Sequence, residues 1–193
     1  LTELGREQIE CLAKRSVELN PDVIISSTMQ RALETAQEVQ KATGAPLFEN
    51  EHLGEYMVPS SLLNKPYSSD ESKSFHRELQ ANMDDPEWHY ADEENYHDLF
   101  LRAQKVMDML TEREEKRLLV VSHGAFMAML LTSMMHEGEP SPASAKRMFR
   151  FFRRENTGIS IIDYYSDATV SNKWRLKVWN DYSHLPRELR TLK

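Results

Sequence analysis

Residues 118–127 constrain the fold more than any other stretch of the chain. They read Leu-Leu-Val-Val-Ser-His-Gly-Ala-Phe-Met, so a short apolar run is followed by Ser-His-Gly and then by a second apolar run. A buried strand that ends near a glycine and leads into a helix is the building unit of an α/β domain. His123 would then lie at the carboxyl end of a strand, just before a helix N-terminus. Ligands bind at such strand ends, and helix N-termini favour anions, although a lone histidine there is also compatible with a structural role.

Apolar residues recur at helical spacing in two further segments. A first helix, capped by Thr2, has one face that is mostly apolar: Ile9, Leu12, Ala13, Ser16 and Val17. The most regular pattern runs through Tyr96, Leu99, Phe100, Ala103, Val106, Met107 and Leu110. Between these two helices, Ser27 and Gln30 fit a capping box for a helix that continues to about Thr43.

Short apolar runs predict the strands. They occupy residues 23–25, 47–48 and 118–121, with two more at 158–165 and 174–179. Because helix and strand patterns alternate, we predict an α/β fold, a three-layer α/β/α sandwich with a mostly parallel central sheet. We expect residues 1–193 to form a single domain.

Residues 59–94 interrupt this regular pattern. They contain Pro66, Pro86 and a cluster of acids: Asp70, Glu71, Asp84, Asp85, Glu87, Asp92, Glu93 and Glu94. We expect an insertion with short helices on the surface. A solvated charged cover explains these acids more simply than a specific binding site does.

Composition narrows the class of partner. The formal net charge of −7 argues against a broad nucleic-acid surface, which needs a basic face. The single cysteine, Cys11, rules out an internal disulfide and fits a reducing, cytoplasmic setting. No apolar run reaches the ~20 residues that cross a bilayer, so we expect no membrane segment. The sequence leaves the oligomeric state open.

Other polar side chains also lie where they could bind a ligand or take part in a reaction. Arg31 follows the buried run 23–25, and its fork of donors suits a phosphate or a carboxylate, although a surface arginine is the simpler interpretation. Glu55 follows a short strand and could act as a general acid, or be an ordinary surface acid. A basic cluster is either a solvated helix face or an attraction for an anionic substrate: Lys146, Arg147, Arg150, Arg153 and Arg154.

Taken in order, the motifs resemble those of the histidine phosphatase superfamily, which includes phosphoglycerate mutases and many phosphomonoesterases. The matching residues are Leu1-Thr2-x-x-Gly5-x-x-Gln8, Ser26-Ser27-x-x-x-Arg31-Ala32-x-x-Thr35-Ala36, Leu53-x-Glu55, Val121-Ser122-His123-Gly124 and Asn156-Thr157-Gly158-Ile159-Ser160. Each motif is modest alone, but the ordered set spans nearly the whole chain. The ending Trp179-Asn180-Asp181-Tyr182-Ser183-His184-Leu185 also looks like tails found in this family.

The resemblance implies a reaction and a set of residues. Members transfer a phosphoryl group to a histidine nucleophile and then to water or an acceptor hydroxyl, with no metal and no cofactor. It makes His123, Glu55 and Arg31 catalytic, with Glu55 as the probable acid. It assigns phosphate binding to Arg31, His123 and Gly124. The substrate would be a small phosphorylated metabolite. The remaining histidines show no metal-ligand spacing such as His-x-x-x-His.

The chain departs from the family in one respect. The family nucleophile lies in an Arg-His-Gly motif at the end of a first strand, and this chain contains no Arg-His-Gly. We therefore expect a domain that lacks its first strand, has no nucleophile and is inactive as it stands. A truncated form of a longer protein is the explanation we favour; a natural pseudo-enzyme and a permuted chain are the alternatives.

Three functions follow from the resemblance. They are a phosphomonoesterase in the full-length protein, a non-catalytic phospho-ligand or protein-binding module, and a phosphoglycerate-type mutase. A mutase must protect its phosphorylated intermediate from water, and the family's mutases carry a longer insertion over the site. Because residues 59–94 form an insertion of moderate length, we favour the phosphatase.

Overall fold

Helices and strands alternate along the computed structural model, which describes residues 1–167, 169 and 171–191. The helices are α1 (Glu3–Leu19), α2 (Gln30–Thr43), α3 (Asp70–Ala81), α4 (Tyr96–Thr111), α5 (Gly124–Met135) and α6 (Pro142–Phe151). The strands are β1 (Val23–Ser26), β2 (Leu47–Glu49), β3 (Leu118–Val121), β4 (Ile159–Tyr164) and β5 (Trp174–Asp181). Short 3-10 helices lie at Glu51–Leu53, Ser60–Leu62 and Arg187–Leu189.

Strand β1 is the middle of a parallel sheet. It pairs with β2 on one side and with β3 on the other, and Ile24 stands opposite both Leu47 and Leu119. The carboxyl ends of all three strands therefore lie at one edge, where β3 leads to His123. Strands β4 and β5 form a separate antiparallel pair.

The side chains of β1 alternate between two hydrophobic cores, one on each face of the sheet. Val23 and Ile25 belong to the core that α4 and α5 fill, whereas Ile24 packs with residues of α1 and α2. Burial on both faces explains why β1 is a continuous apolar run rather than an alternating one. The predicted α/β fold with helices on both faces of the sheet is confirmed.

Two local predictions are wrong. The sequence places Val17 on the same face of α1 as Ile9 and Leu12, but that face is buried and Val17 is 53% exposed. Gln8 is buried on that face instead. Helix α2 begins at Gln30 with Met29 as its N-cap and no side-chain capping bond, so Ser27 and Gln30 form no capping box. The Ser27 hydroxyl contacts the backbone N–H of Met29 and the ring of His123 instead.

The segment 59–94 holds the 12-residue helix α3 and the 3-10 helix Ser60–Leu62. Its acids are not all solvated, which corrects the sequence interpretation for Glu93 and Glu94. These two residues are only 4% and 6% exposed. Glu93 accepts hydrogen bonds from the backbone of Tyr90 and Ala91, and Glu94 pairs with Arg102, so both charges are compensated where water is excluded.

In the described ranges, no helix combines the length and the apolar character that crossing a bilayer requires. The same ranges contain no group of three or more histidine, cysteine, aspartate or glutamate residues arranged to hold a metal ion.

Candidate active site

His123 occupies the N-cap of α5, one residue after the Ser122 that follows β3. Its side chain is buried, and Nε2 lies 2.9 Å from the hydroxyl oxygen of Ser27, which follows β1. Burial, with a smaller contribution from the positive charge of Arg31, lowers the pKa of His123 to about 4. The imidazole of the free site is therefore neutral near pH 7.

Arg31 is the second residue of α2 and is exposed to solvent. It is close enough for its charge to act on His123. In the part of the chain that the structure describes, no hydrogen bond or ion pair engages its guanidinium group. A charged fork beside a buried imidazole is therefore available to a ligand, and an anion is the complementary one.

Glu55 lies in an irregular loop after the 3-10 helix Glu51–Leu53, and its carboxylate points to the start of α5. The Oε1 atom accepts hydrogen bonds from the backbone N–H groups of Ala125 and Phe126, both at 3.1 Å, and from Tyr56 at 3.0 Å. The first N–H groups of a helix have no partner within the helix, so a carboxylate fits there. Glu55 is thereby held next to His123, which feels its charge.

Gly124 begins α5, and the side chain of Arg154 lies against it. A Cβ atom added to Gly124 would come within 3.2 Å of Nε of Arg154. Arg154 is half-buried, and burial lowers its pKa while the charge of Glu55 opposes that effect. Arg154 therefore belongs to the site, which favours the anion-attracting interpretation of this one member of the basic cluster.

A buried ion pair supports the loop that carries Glu55. Arg102 of α4 binds the carboxylate of Glu94 through Nε at 2.6 Å and through Nη2 at 2.7 Å. The same guanidinium also donates to the carbonyl oxygens of His52, in the 3-10 helix, and of Gly54 and Glu55, in the loop. Motif matching did not single out Arg102, but its spacing was a signal, because it lies three residues after Leu99 and four before Val106 on the buried face of α4.

The structure thus brings the four predicted site residues to one edge of the sheet. They come from α2 (Arg31), from the loop after β2 (Glu55), and from the junction of β3 with α5 (His123 and Gly124). Their roles in a reaction stay predictions at this point. To them the structure adds Ser27, Arg154 and the pair formed by Arg102 and Glu94.

Comparison with known proteins defines the class. The sequence profile described as "Histidine phosphatase superfamily (branch 1)" matches residues 1–181, so the chain belongs to the histidine phosphatase superfamily. A curated relative named "Probable phosphoglycerate mutase GpmB", from Enterobacter sp. (strain 638), is 29% identical over 189 residues. That alignment covers 96% of this chain and 83% of the relative.

Solved structures of phosphatases share the fold. Mycobacterial glucosyl-3-phosphoglycerate phosphatase with inorganic phosphate superposes with a TM-score of 0.74 at 22% identity, covering 96% of this chain and 89% of that one. A mutant phosphoserine phosphatase from Entamoeba histolytica, in complex with phosphoserine, gives 0.72 at 22% identity, covering 96% and 86%. These two phosphatases therefore share the fold of this chain, whereas the curated relative carries the name of a mutase.

Proposed function

We propose that this protein hydrolyses phosphate monoesters of small cytoplasmic metabolites through a phosphohistidine intermediate. The observation that carries the proposal is the grouping of His123, Arg31 and Glu55 around the N-terminus of α5. Positive charge, an imidazole and a carboxyl group are three of the parts that this kind of phosphoryl transfer uses, because it depends on positioning and on charge stabilisation.

Each residue has a defined role in this proposal. Arg31 and the backbone N–H of Gly124 bind the non-bridging oxygens of the phosphoryl group. His123 is neutral in the free site and takes up a proton when the phosphate dianion binds, because a nearby negative charge favours the charged imidazole. Glu55 must enter the step as the neutral acid: as the bond between phosphorus and the ester oxygen breaks, its carboxyl gives its proton to that oxygen and becomes the carboxylate that accepts the N–H groups of Ala125 and Phe126.

The nucleophile is the remaining part. The phosphoryl group passes to a histidine nitrogen and then to water, which releases inorganic phosphate and regenerates the histidine. The family motif for that residue, Arg-His-Gly, does not occur in these 193 residues. We therefore propose that activity requires a chain that carries this motif, and we expect the 193 residues alone to have little or no turnover.

A phosphoglycerate-type mutase is the second candidate. The name of the curated Enterobacter relative favours it. A mutase differs in passing the phosphoryl group to a second hydroxyl rather than to water. The ratio of phosphate release to phosphoryl transfer separates the two candidates.

The test is hydrolysis of a generic phosphate monoester by the full-length gene product. We expect turnover, a loss of about 100-fold or more in His123→Ala, and a comparable loss in Arg31→Ala, since each removes a group that stabilises transferred charge. Arg117→Gln is the matched control, because Arg117 pairs with Asp22 at the opposite edge of the sheet. Absence of turnover in the full-length protein would favour a non-catalytic binding module.

A further inference from the structure

Arg102 and Glu94 form the most enclosed ion pair near the site, with side chains that are 14% and 8% exposed. We propose that this pair positions Glu55, the acid of the proposed reaction. The inference rests on the proposed function for the role of Glu55. Its structural part, the immobilisation of the Glu55 loop, stands on contacts that are independent of any reaction.

Arg102 binds the loop through its backbone. Its Nη1 atom donates to the carbonyl oxygens of His52 and Gly54, each at 2.8 Å, and Nη2 lies 3.3 Å from the carbonyl oxygen of Glu55. These bonds are made to the main chain, so they fix the path of the loop whatever its side chains are. A single guanidinium therefore engages the residues just before the acid and the acid itself.

Glu94 holds the loop beyond the acid. Its carboxylate accepts the N–H of Met57 at 3.1 Å, and its own N–H donates to the carbonyl oxygen of Met57 at 3.1 Å. The ion pair thus binds the chain both before and after Glu55. A loop held on both sides leaves its carboxylate few positions other than the one at the start of α5.

The same arginine also contacts the opposite wall of the site. Its guanidinium carbon lies 4.3 Å from the centre of the Phe126 ring, and the N–H of Phe126 is one of the donors to Glu55. Arg102 therefore sets the loop and the first turn of α5 relative to each other. Burial of an ion pair carries a desolvation free energy that the attraction between the two charges only partly offsets. A contribution to folding stability alone therefore does not explain why the pair is buried here.

Positioning of a general acid has a distinctive kinetic consequence. An alkyl phosphate needs a proton on its departing oxygen, whereas p-nitrophenolate leaves without one. In the full-length gene product, Arg102→Gln should therefore slow alkyl phosphates by about 10- to 100-fold, which reaches at most the lower end of what the complete loss of a general acid costs, and change p-nitrophenyl phosphate much less. A merely structural role would lower both substrates together.

Amide hydrogen exchange tests the structural part on the 193-residue chain without any catalysis. We expect Arg102→Gln to speed amide exchange at Ala125 and Phe126, whose N–H groups donate to Glu55. The control, Arg117→Gln, should leave exchange at both residues unchanged. If Arg102→Gln fails to fold, Glu94→Gln replaces it, because this substitution keeps the size of the side chain. It too should speed exchange at Ala125 and Phe126. Arg102→Lys, which keeps the charge without the fork, should restore only part of the protection.

The outcomes separate this inference from the proposed function. Faster exchange at Ala125 and Phe126 together with a selective loss on alkyl phosphates supports it. Unchanged exchange, or an equal loss on both substrates, overturns it. If the wild-type full-length protein hydrolyses neither substrate, the proposed function fails, and the exchange result alone decides whether Arg102 positions Glu55.

Discussion

The hydroxyl oxygen of Ser27 lies 2.9 Å from Nε2 of His123, and the two residues follow neighbouring parallel strands. Because β1 and β3 pair in register, the residues after their carboxyl ends are brought side by side. The hydrogen bond then orients a ring that is buried and has no capping bond of its own. Ser27 therefore contacts the candidate active site through His123.

Ser27→Ala should reduce turnover of the full-length protein about fivefold. The substitution removes one hydrogen bond to the imidazole, which is worth about 1 kcal/mol. Steady-state kinetics on a phosphate monoester give the measurement. The matched control is Ser16→Ala, which removes another buried serine hydroxyl, one that bonds to the backbone of α1 away from the site. An equal loss in both variants would show that Ser27 has no specific role.

Anion binding should draw a proton onto His123. Its pKa is about 4 in the free site, so the ring is neutral at pH 6, and a bound dianion raises that pKa. Sulfate is the useful probe, because its own charge does not change in this range. Calorimetry in two buffers of different ionisation enthalpy should show proton uptake, and sulfate affinity should fall as the pH rises.

The control for this measurement is His123→Gln, which keeps a polar side chain but cannot be protonated. It should bind sulfate more weakly and without proton uptake. Uptake of the same size in the variant would place the proton on another group. Absence of uptake in the wild-type chain would contradict a protonated His123 in the complex.

Gly124→Ala should weaken sulfate binding severalfold without lowering stability. The added Cβ would lie 3.2 Å from Nε of Arg154, so the guanidinium must move. Alanine nevertheless favours a helix over glycine by up to about 1 kcal/mol, so the free energy of unfolding should stay the same or rise. Titration with sulfate and thermal unfolding measure the two effects.

Arg154→Gln should reproduce the loss of affinity, whereas Arg153→Gln, at the exposed neighbouring position, should not. Unchanged sulfate affinity in both Gly124→Ala and Arg154→Gln would show that Arg154 does not contribute to anion binding. A loss in Arg153→Gln as large as that in Arg154→Gln would indicate general attraction by the basic cluster.

Local patterns in the sequence were sufficient to predict where the strands lie and that His123 follows the end of a strand. A buried parallel strand such as β1 is a short continuous apolar run, and a glycine after Ser-His marks the passage from β3 to α5. Arg31 and Glu55 are surface residues by their local pattern, and the family motifs were needed to single them out. The site residues found in this way lie together at one sheet edge.

Contacts between distant parts of the chain could not be predicted from local patterns. Ser27 fits a capping box by spacing, but its hydroxyl bonds His123, which is 96 positions away. Glu94 looks like one more acid in a charged segment, and only the folded α4 brings Arg102 to it. Both errors have the same cause: a polar side chain was assigned to its sequence neighbours, although its partner comes from another element.

The most direct test of the account is to trap the phosphorylated intermediate. A labelled phosphate monoester is mixed with the full-length gene product, quenched in base, and the label is mapped by peptide analysis. The account predicts an acid-labile, base-stable phosphohistidine on the histidine of an Arg-His-Gly motif, and no label on the 193-residue chain alone. A phosphorylated histidine within residues 1–193, or a full-length protein that neither retains label nor releases phosphate, would contradict it.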